Sequence, residues 1–252
     1  MSELNNPDTR QAVLAGRAKN GAQLVAHELA VEFDISLDTI RRDILALEQT
    51  GLIRRVRGGA VPIAKPMAPL SARSVHKNLN VLPIAQRALT HIDDGMAVVL
   101  DGGTTVLALA ELLGDKPNCL VITPAPLVAN ATSSLGLETI LIGGKISPYG
   151  GISVGAQAEA TIADIAADIC FLGACALHST FGLSSDQLEE SSLKQSMANA
   201  VNKCTVLTTC EKLDKRSRHK TLATDQINLL ITDAEKGSAK EFTKSGVEVE
   251  YV

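Results

Sequence analysis

The sequence predicts a small helical head ending in a β-hairpin, then a larger α/β domain built on a mostly parallel sheet. Three observations predict it. A capped amphipathic helix and a basic, glycine-ended hairpin fill residues 33–60. Val61 to Leu70 carries three prolines, Pro62, Pro66 and Pro69. Beyond residue 92, short apolar runs alternate with helical stretches. Runs of that kind belong to parallel strands covered on both faces.

The composition fits two domains. At 252 residues the chain has room for a small head and one domain of ordinary size. Hydrophobic residues make up 45% and aromatics only 2%, with no Trp, so the cores must be Leu, Ile, Val and Ala. A net charge of −4 argues against a general nucleic-acid coat protein. The five cysteines (119, 170, 175, 204 and 210) have no C-x-x-C spacing. Four of them, Cys119, Cys170, Cys175 and Cys204, sit in apolar or strand-like runs and read as small buried hydrophobes. No metal, cofactor or catalytic thiol is indicated, and a reducing, cytoplasmic setting follows. No run has membrane length, and the polar N-terminus does not read as a signal peptide.

The head begins at about Asp8 with a first helix. Val13 and Leu14 are expected inward, with Arg10, Arg17 and Lys19 outward, and the helix should end near Asn20-Gly21. A second helix is expected over Gln23–Phe33, with Val25, Leu29 and Phe33 on one face and His27 on the surface. Ser36 is a good N-cap for the third, and Ile35 before it can pack on Ile40. Leu37, Ile40, Ile44 and Leu47 form its apolar face, leaving Thr39, Arg41, Arg42 and Asp43 on the other. Thr50-Gly51 stops the helix. Leu52 to Ala60 then alternates apolar and basic residues through Arg54, Arg55 and Arg57 to Gly58-Gly59.

These features suit a reading head for double-stranded DNA. A short helix with a polar, cationic N-terminal half fits the major groove. From 41 to 60 there are five Arg against two acids, and such a local excess grips phosphate. The candidate DNA contacts are Ser36, Thr39, Arg41, Arg42, Arg54, Arg55, Arg57 and Gly58.

The prolines of Val61–Leu70 stiffen a linker. Ser71 to Thr90 reads as a connecting segment and a helix around Ile84–Leu89. Strands are expected at 97–100, 120–122, 139–142, 169–173, 205–208 and 229–232. Helices are expected at 104–113, 125–134, 157–167 and 187–202. Ligands of such sheets bind at the carboxyl ends of strands. There, Asp101-Gly102-Gly103-Thr104-Thr105 offers close backbone approach, two hydroxyls and helix amides, which together suit a phosphate. Gly143-Gly144-Lys145 follows a later strand. Lys212 follows the fifth run and Lys194 lies on a helix. Three lysines beside a phosphate cradle would suit a phosphorylated small molecule. The candidate effector contacts are Asp101, Gly102, Gly103, Thr104, Thr105, Gly144, Lys194 and Lys212.

Ser36-Leu37-Asp38-Thr39-Ile40-Arg41-Arg42-Asp43-Ile44, then Leu47-Glu48 and Arg57-Gly58-Gly59-Ala60, resembles the N-terminal signature of the DeoR family of bacterial transcriptional regulators. The likeness continues to about residue 233. Asp101 to Thr105 looks like the family's D-x-G-T-T. Gly143-Gly144, Asp168 with Phe171-Leu172-Gly173, Gly182-Leu183, Lys194 and Ile231-Thr232-Asp233 also match. The resemblance implies a winged helix-turn-helix over 1–60 and a linker over 61–75. It implies a Rossmann-like effector-sensing and oligomerisation domain over 76–252, similar in fold to ribose-phosphate isomerases. It further implies a sugar-phosphate effector, a homo-oligomer and repression of a carbohydrate-metabolism operon.

The chain departs from the family pattern at Thr123-Pro124-Ala125, at Thr209-Cys210-Glu211-Lys212, at Ala174-Cys175-Ala176-Leu177 and at Val81. Three of these departures are at strand ends, which points to an unusual effector or a weakened response. The alternative is a sugar-phosphate isomerase with a DNA-binding appendage. It needs a general base. Asp101, Asp168, Glu189 and Glu190 are available, but their spacing gives no paired acid/base signature, and Glu189 and Glu190 read as helix-surface residues.

Overall fold

Leu14, Leu24, Leu29, Phe33, Ile40, Ile44, Leu47, Ile53 and Ala60 bury together and form the head's own core. The computed structural model describes residues 6–19, 22–62 and 81–252. The chain divides into two units, Met1–Pro66 and Met67–Val252.

In the first unit, helix α1 is Pro7–Lys19, strand β1 is Leu24–Val25, and helices α2 and α3 are Ala26–Glu32 and Leu37–Gln49. The hairpin strands β2 and β3 are Ile53–Val56 and Gly59–Pro62. Leu14 is inward as expected, but Val13 is exposed and Arg10 is buried. Arg10 turns inward because Asp43 waits there. Its Nε and Nη2 donate to the Asp43 carboxylate at 2.5 and 3.2 Å, and Gln11 Nε2 adds a third bond at 3.0 Å. Asp43 therefore does not share the outer face of α3; it ties that helix to α1. Arg17 stays outside, paired with Glu32 and lying over the Phe33 ring.

The second helix starts at Ala26, because Leu24 and Val25 pair with Ala60 and Gly59 of β3. The pairing is close enough that a Cβ on Gly59 would stand 1.9 Å from the Leu24 carbonyl oxygen, so only glycine fits there. Asp34 turns the chain between α2 and α3 with φ 52°, and Gly51 ends α3 with φ +72°. Val61 and Pro62, expected in the linker, complete β3 opposite Arg54 and Ile53. The rest of that linker, the connecting segment from Ser71 to residue 80, and the expected helix end at Asn20-Gly21 lie outside the described residues.

The second unit is organised on one seven-stranded parallel sheet. Its strands are β4 Ala97–Leu100, β5 Leu120–Thr123, β6 Glu138–Leu141, β9 Ala167–Gly173, β12 Val201–Thr208, β14 Leu229–Thr232 and β15 Glu248–Tyr251. Their order is β15-β14-β12-β9-β4-β5-β6. The six expected strands are all present, and β15 adds an edge. From β4 the chain winds to β5 and β6 on one side. It then returns to β9 and winds outward through β12, β14 and β15. The order therefore reverses between β4 and β9, and a crevice opens at such a point. Val98, Val99, Ile169, Cys170, Phe171, Leu172, Val206 and Leu207 make the buried centre.

Helices α4 Val81–Leu89, α5 Thr104–Ala110, α6 Pro126–Ser134, α7 Ala156–Ala163, α8 Leu188–Asn199 and α9 Lys240–Lys244 surround the sheet. The expected 104–113 and 157–167 helices stop early, at Ala110 and Ala163. Two small sheets were not expected. One is a hairpin of β7 Lys145–Ile146 and β8 Ser153–Val154. The other comprises β10 Ala176–His178, β11 Gly182–Ser185 and β13 His219–Leu222. Cys119, Cys170 and Cys204 are buried, Cys175 is half-buried and Cys210 is exposed.

Candidate functional sites

In the head, the cap built by Ser36 sets the start of α3. Its Oγ accepts from the Thr39 amide at 3.2 Å and lies 2.8 Å from the Thr39 hydroxyl. One turn on, Arg41 is exposed and paired with Asp38 at 3.2 Å. Arg42 is exposed beside it. Across from α3 the hairpin turns at Gly58 (φ +90°). Glu48 fastens that hairpin to α3, accepting from Arg55 N at 2.9 Å and from Arg55 Nε at 2.5 Å. Those bonds, the backbone one first, hold the Glu48 carboxyl below its ordinary pKa.

Arg41, Arg55, Arg57 and Gly58 line one groove between α3 and the hairpin. Arg54 is exposed but does not line it. His27 does line it, at the start of α2, where the Ala26 amide donates to the Gly58 carbonyl at 2.9 Å. Sequence reasoning left His27 as plain surface. The missing signal was the pairing of β1 with β3, which brings the start of α2 to the hairpin tip.

In the second unit, a cleft opens at the carboxyl ends of β4 and β9. Asp101, Gly102, Gly103, Thr104, Thr105, Lys194 and Lys212 all line it, with Gly150, Gly173, Ala174, Cys175 and Glu190. Gly144 does not line it; it packs against the Val154 carbonyl at the β7–β8 hairpin. Lys145 is paired with Glu189 on the surface.

Asp101 is fully buried and Lys194 is 5% exposed. Asp101 Oδ2 accepts from Lys194 Nζ at 2.5 Å and from the Gly173 amide at 2.9 Å. Lys194 Nζ also donates to the Gly173 carbonyl at 2.7 Å. A Cβ on Gly173 would stand 3.0 Å from the Gly102 carbonyl oxygen, so glycine lets β9 close onto the Asp101 loop. Burial works to lower the Lys194 pKa, but the charge and hydrogen bond of Asp101, together with Cys175 and Glu190 nearby, outweigh it and hold the pKa above the ordinary value. Burial pushes the Cys175 thiol up, which keeps it neutral and a weak nucleophile.

Glu190 was expected on the surface. It is 2% exposed, accepting from the Gly150 amide at 2.7 Å and from the Ser147 hydroxyl. These bonds clamp the β7–β8 loop over the cleft, and the hairpin's own sequence gave no sign of that role. Asp168 lies at the other end of β9 and accepts from the Ala97 amide at 2.8 Å.

Known proteins resemble this chain in both units. Residues 10–65 match the family model of the DeoR-like helix-turn-helix domain, and residues 82–234 match the DeoR C terminal sensor domain. The HTH-type transcriptional regulator GolR of Listeria innocua is 29% identical over 96% of this chain and 98% of its own. The lactose phosphotransferase system repressor of Lactococcus lactis is 31% identical over 90% of this chain and 91% of its own. Among solved structures, a ribose-5-phosphate isomerase in complex with phospho-erythronic acid is similar over 53% of each chain, with 17% identity and a TM-score of 0.41. With both family domains matched in order along one chain, this protein belongs to the DeoR family of transcriptional regulators.

Proposed function

We propose that this regulator is a repressor of a carbohydrate-metabolism operon, and that a phosphorylated sugar or related metabolite in the β4–β9 cleft controls its grip on operator DNA. The convergence of Arg41, Arg55 and Arg57 on one groove carries the DNA half of this reading. The N-terminal residues of α3 read bases in the major groove while the hairpin holds phosphate. A symmetric oligomer formed by the second unit presents two heads to two half-sites. The effector acts by preferring one arrangement of those heads. The protein works in the cytoplasm on DNA; no helix among the described residues is long and apolar enough to cross a membrane.

Catalysis has less support. Glu190 is engaged by the β7–β8 loop, and Asp168 accepts from the Ala97 amide at the far end of β9 and does not line the cleft, so among the described residues no second free carboxylate stands beside Asp101 to make an acid/base pair.

Arg41→Ala is expected to weaken operator binding by about 1–3 kcal/mol and to relax preference at one base position. A mobility-shift titration against operator variants measures both, and unchanged affinity removes Arg41 from the interface. Lys212→Ala is expected to leave operator affinity intact and to blunt the response to effector. Equal loss of both in the same titration would make Lys212 a folding residue instead.

A further inference from the structure

Among the described residues, strand β6 ends one side of the seven-stranded sheet and pairs with β5 alone. Its sequence suits the middle of a sheet instead. Ile140-Leu141-Ile142 is a continuous apolar run, and such runs belong to parallel strands covered on both faces. Yet Ile140 is 42% exposed and Leu141 is 49% exposed. Consecutive strand residues point to opposite faces, so this edge is open on both. Ile146, just beyond, is 49% exposed as well. No other stretch of seven described residues exposes three large hydrophobic side chains. The opposite edge, β15, is guarded by charge. Glu248 and Glu250 stand on it, and Glu250 accepts from Arg87 Nη2 at 2.6 Å and lies 2.9 Å from His91 Nε2. A charged edge resists pairing with another strand, and an apolar one invites it.

The backbone decides which strand fits. The Ile142 amide donates to the Thr123 carbonyl at 2.9 Å. In a parallel ladder alternate residues bond the same neighbour, so Ile140 also faces β5. Thr139 and Leu141 therefore turn their N–H and C=O groups outward, and they flank Ile140 evenly. A second copy of β6, laid antiparallel about a twofold axis at Ile140, sets Thr139 of each copy opposite Leu141 of the other. Each such pair exchanges both backbone bonds, so every outward group is satisfied. Ile140 then meets its own twofold mate side chain to side chain. Glu138, the one charged residue of β6, falls opposite Ile142 and away from its twofold mate, so no like charges are opposed. The strand is complementary to itself in hydrogen bonds, apolar surface and charge.

We propose that two copies of this chain join along β6, antiparallel about a twofold axis through Ile140, so that their two main sheets become one. This rests on the symmetric oligomer of the proposed function and deepens it by naming the strand that forms it. Such a contact uses the same patch on both subunits and closes after two copies, leaving the charged β15 strands as the outer edges.

Sedimentation velocity of the full chain tests this, together with cysteine cross-linking. Ile140→Lys sets two ammonium groups directly opposite each other and should weaken self-association by at least about 100-fold. Ile140→Glu should do the same with two carboxylates. An equimolar mixture of the two variants should associate again, because each ammonium then faces a carboxylate; misfolded chains would not be rescued in this way. Ile140→Cys should form a covalent dimer under mild oxidation, since directly opposed residues of such a pair stand close enough for a disulfide. Glu248→Cys, on the other edge, should cross-link no more than the wild-type chain with its exposed Cys210. An oligomer that survives Ile140→Lys would overturn the β6 interface and leave the symmetric oligomer standing. So would a mixture that stays dissociated, or an Ile140→Cys chain that cross-links no faster than Glu248→Cys. A wild-type chain that stays monomeric at every concentration would overturn both.

Discussion

Asp43→Ala will unfold the DNA-binding head while the second unit stays folded. Arg10 is 3% exposed and Asp43 is 2% exposed, and their carboxylate–guanidinium bonds of 2.5 and 3.2 Å lie between α1 and α3. Removing one partner leaves the other charge buried and uncompensated, which costs about 3–5 kcal/mol. A head of this size buries a modest core, and its whole stability is of the same order. The loss should therefore take operator binding to the non-specific level, far beyond the effect of Arg41→Ala. Thermal unfolding of the full chain reads the outcome directly. An early transition should move down and the later one should not. The pair itself need not add net stability, since a well-packed apolar pair of similar size is often as good. Arg10→Met combined with Asp43→Leu should accordingly recover most of the loss. If Asp43→Ala melts and binds like the wild type, the buried pair does not hold α3 in place.

That pair also shows where sequence reading stops. The apolar spacing of α3, its Ser36 cap and its Gly51 stop were legible because each is a local signal within four residues. Arg10 was misread because helical periodicity ranks residues by type, and its burial depends on a carboxylate 33 positions away. Strand β1 is two residues long, too short for any period, and exists only because β3 returns beside it. In the second unit the six apolar runs announced the main sheet. The small sheet of β10, β11 and β13 did not announce itself. Ser184 and Ser185 are buried there with their hydroxyls satisfied by the Ala176 carbonyl and Thr221. Buried polar residues of that kind look like loop in a sequence. The cleft was found by the strand-end rule, which places Asp101 and Gly173 together. Glu190 was missed for the same reason as Arg10: its partners, Ser147 and Gly150, come from a hairpin 40 or more residues earlier.

Lys194→Met is the corresponding experiment in the second unit, and it separates orientation of Asp101 from mere packing. Methionine nearly matches the lysine stem in volume, so the apolar contacts remain. The ammonium does not, and Asp101 is left buried with one amide donor and no counter-charge. A loss of about 3–5 kcal/mol from the second unit is expected, visible as a lower urea midpoint with an unchanged slope. The pH dependence gives a second, sharper sign. Against the lowering effect of burial, Lys194 has its folded-state pKa raised above the ordinary lysine value by the groups around it, Asp101 foremost. The folded state therefore holds that proton more tightly than the unfolded state does. Its contribution is complete below about pH 10.4, the ordinary lysine value, and is lost as pH climbs from there through the folded pKa. Wild-type stability should fall over that alkaline window by more than the variant's, because a thioether has no proton to lose. The difference between the two urea curves, taken from about pH 8 to about pH 11 so as to bracket the ordinary lysine value, isolates this one group from every other lysine and tyrosine in the chain. Parallel curves would mean that the Lys194–Asp101 contact is electrostatically neutral, and Lys194 would then be a filler of space rather than the group that holds the Asp101 carboxylate.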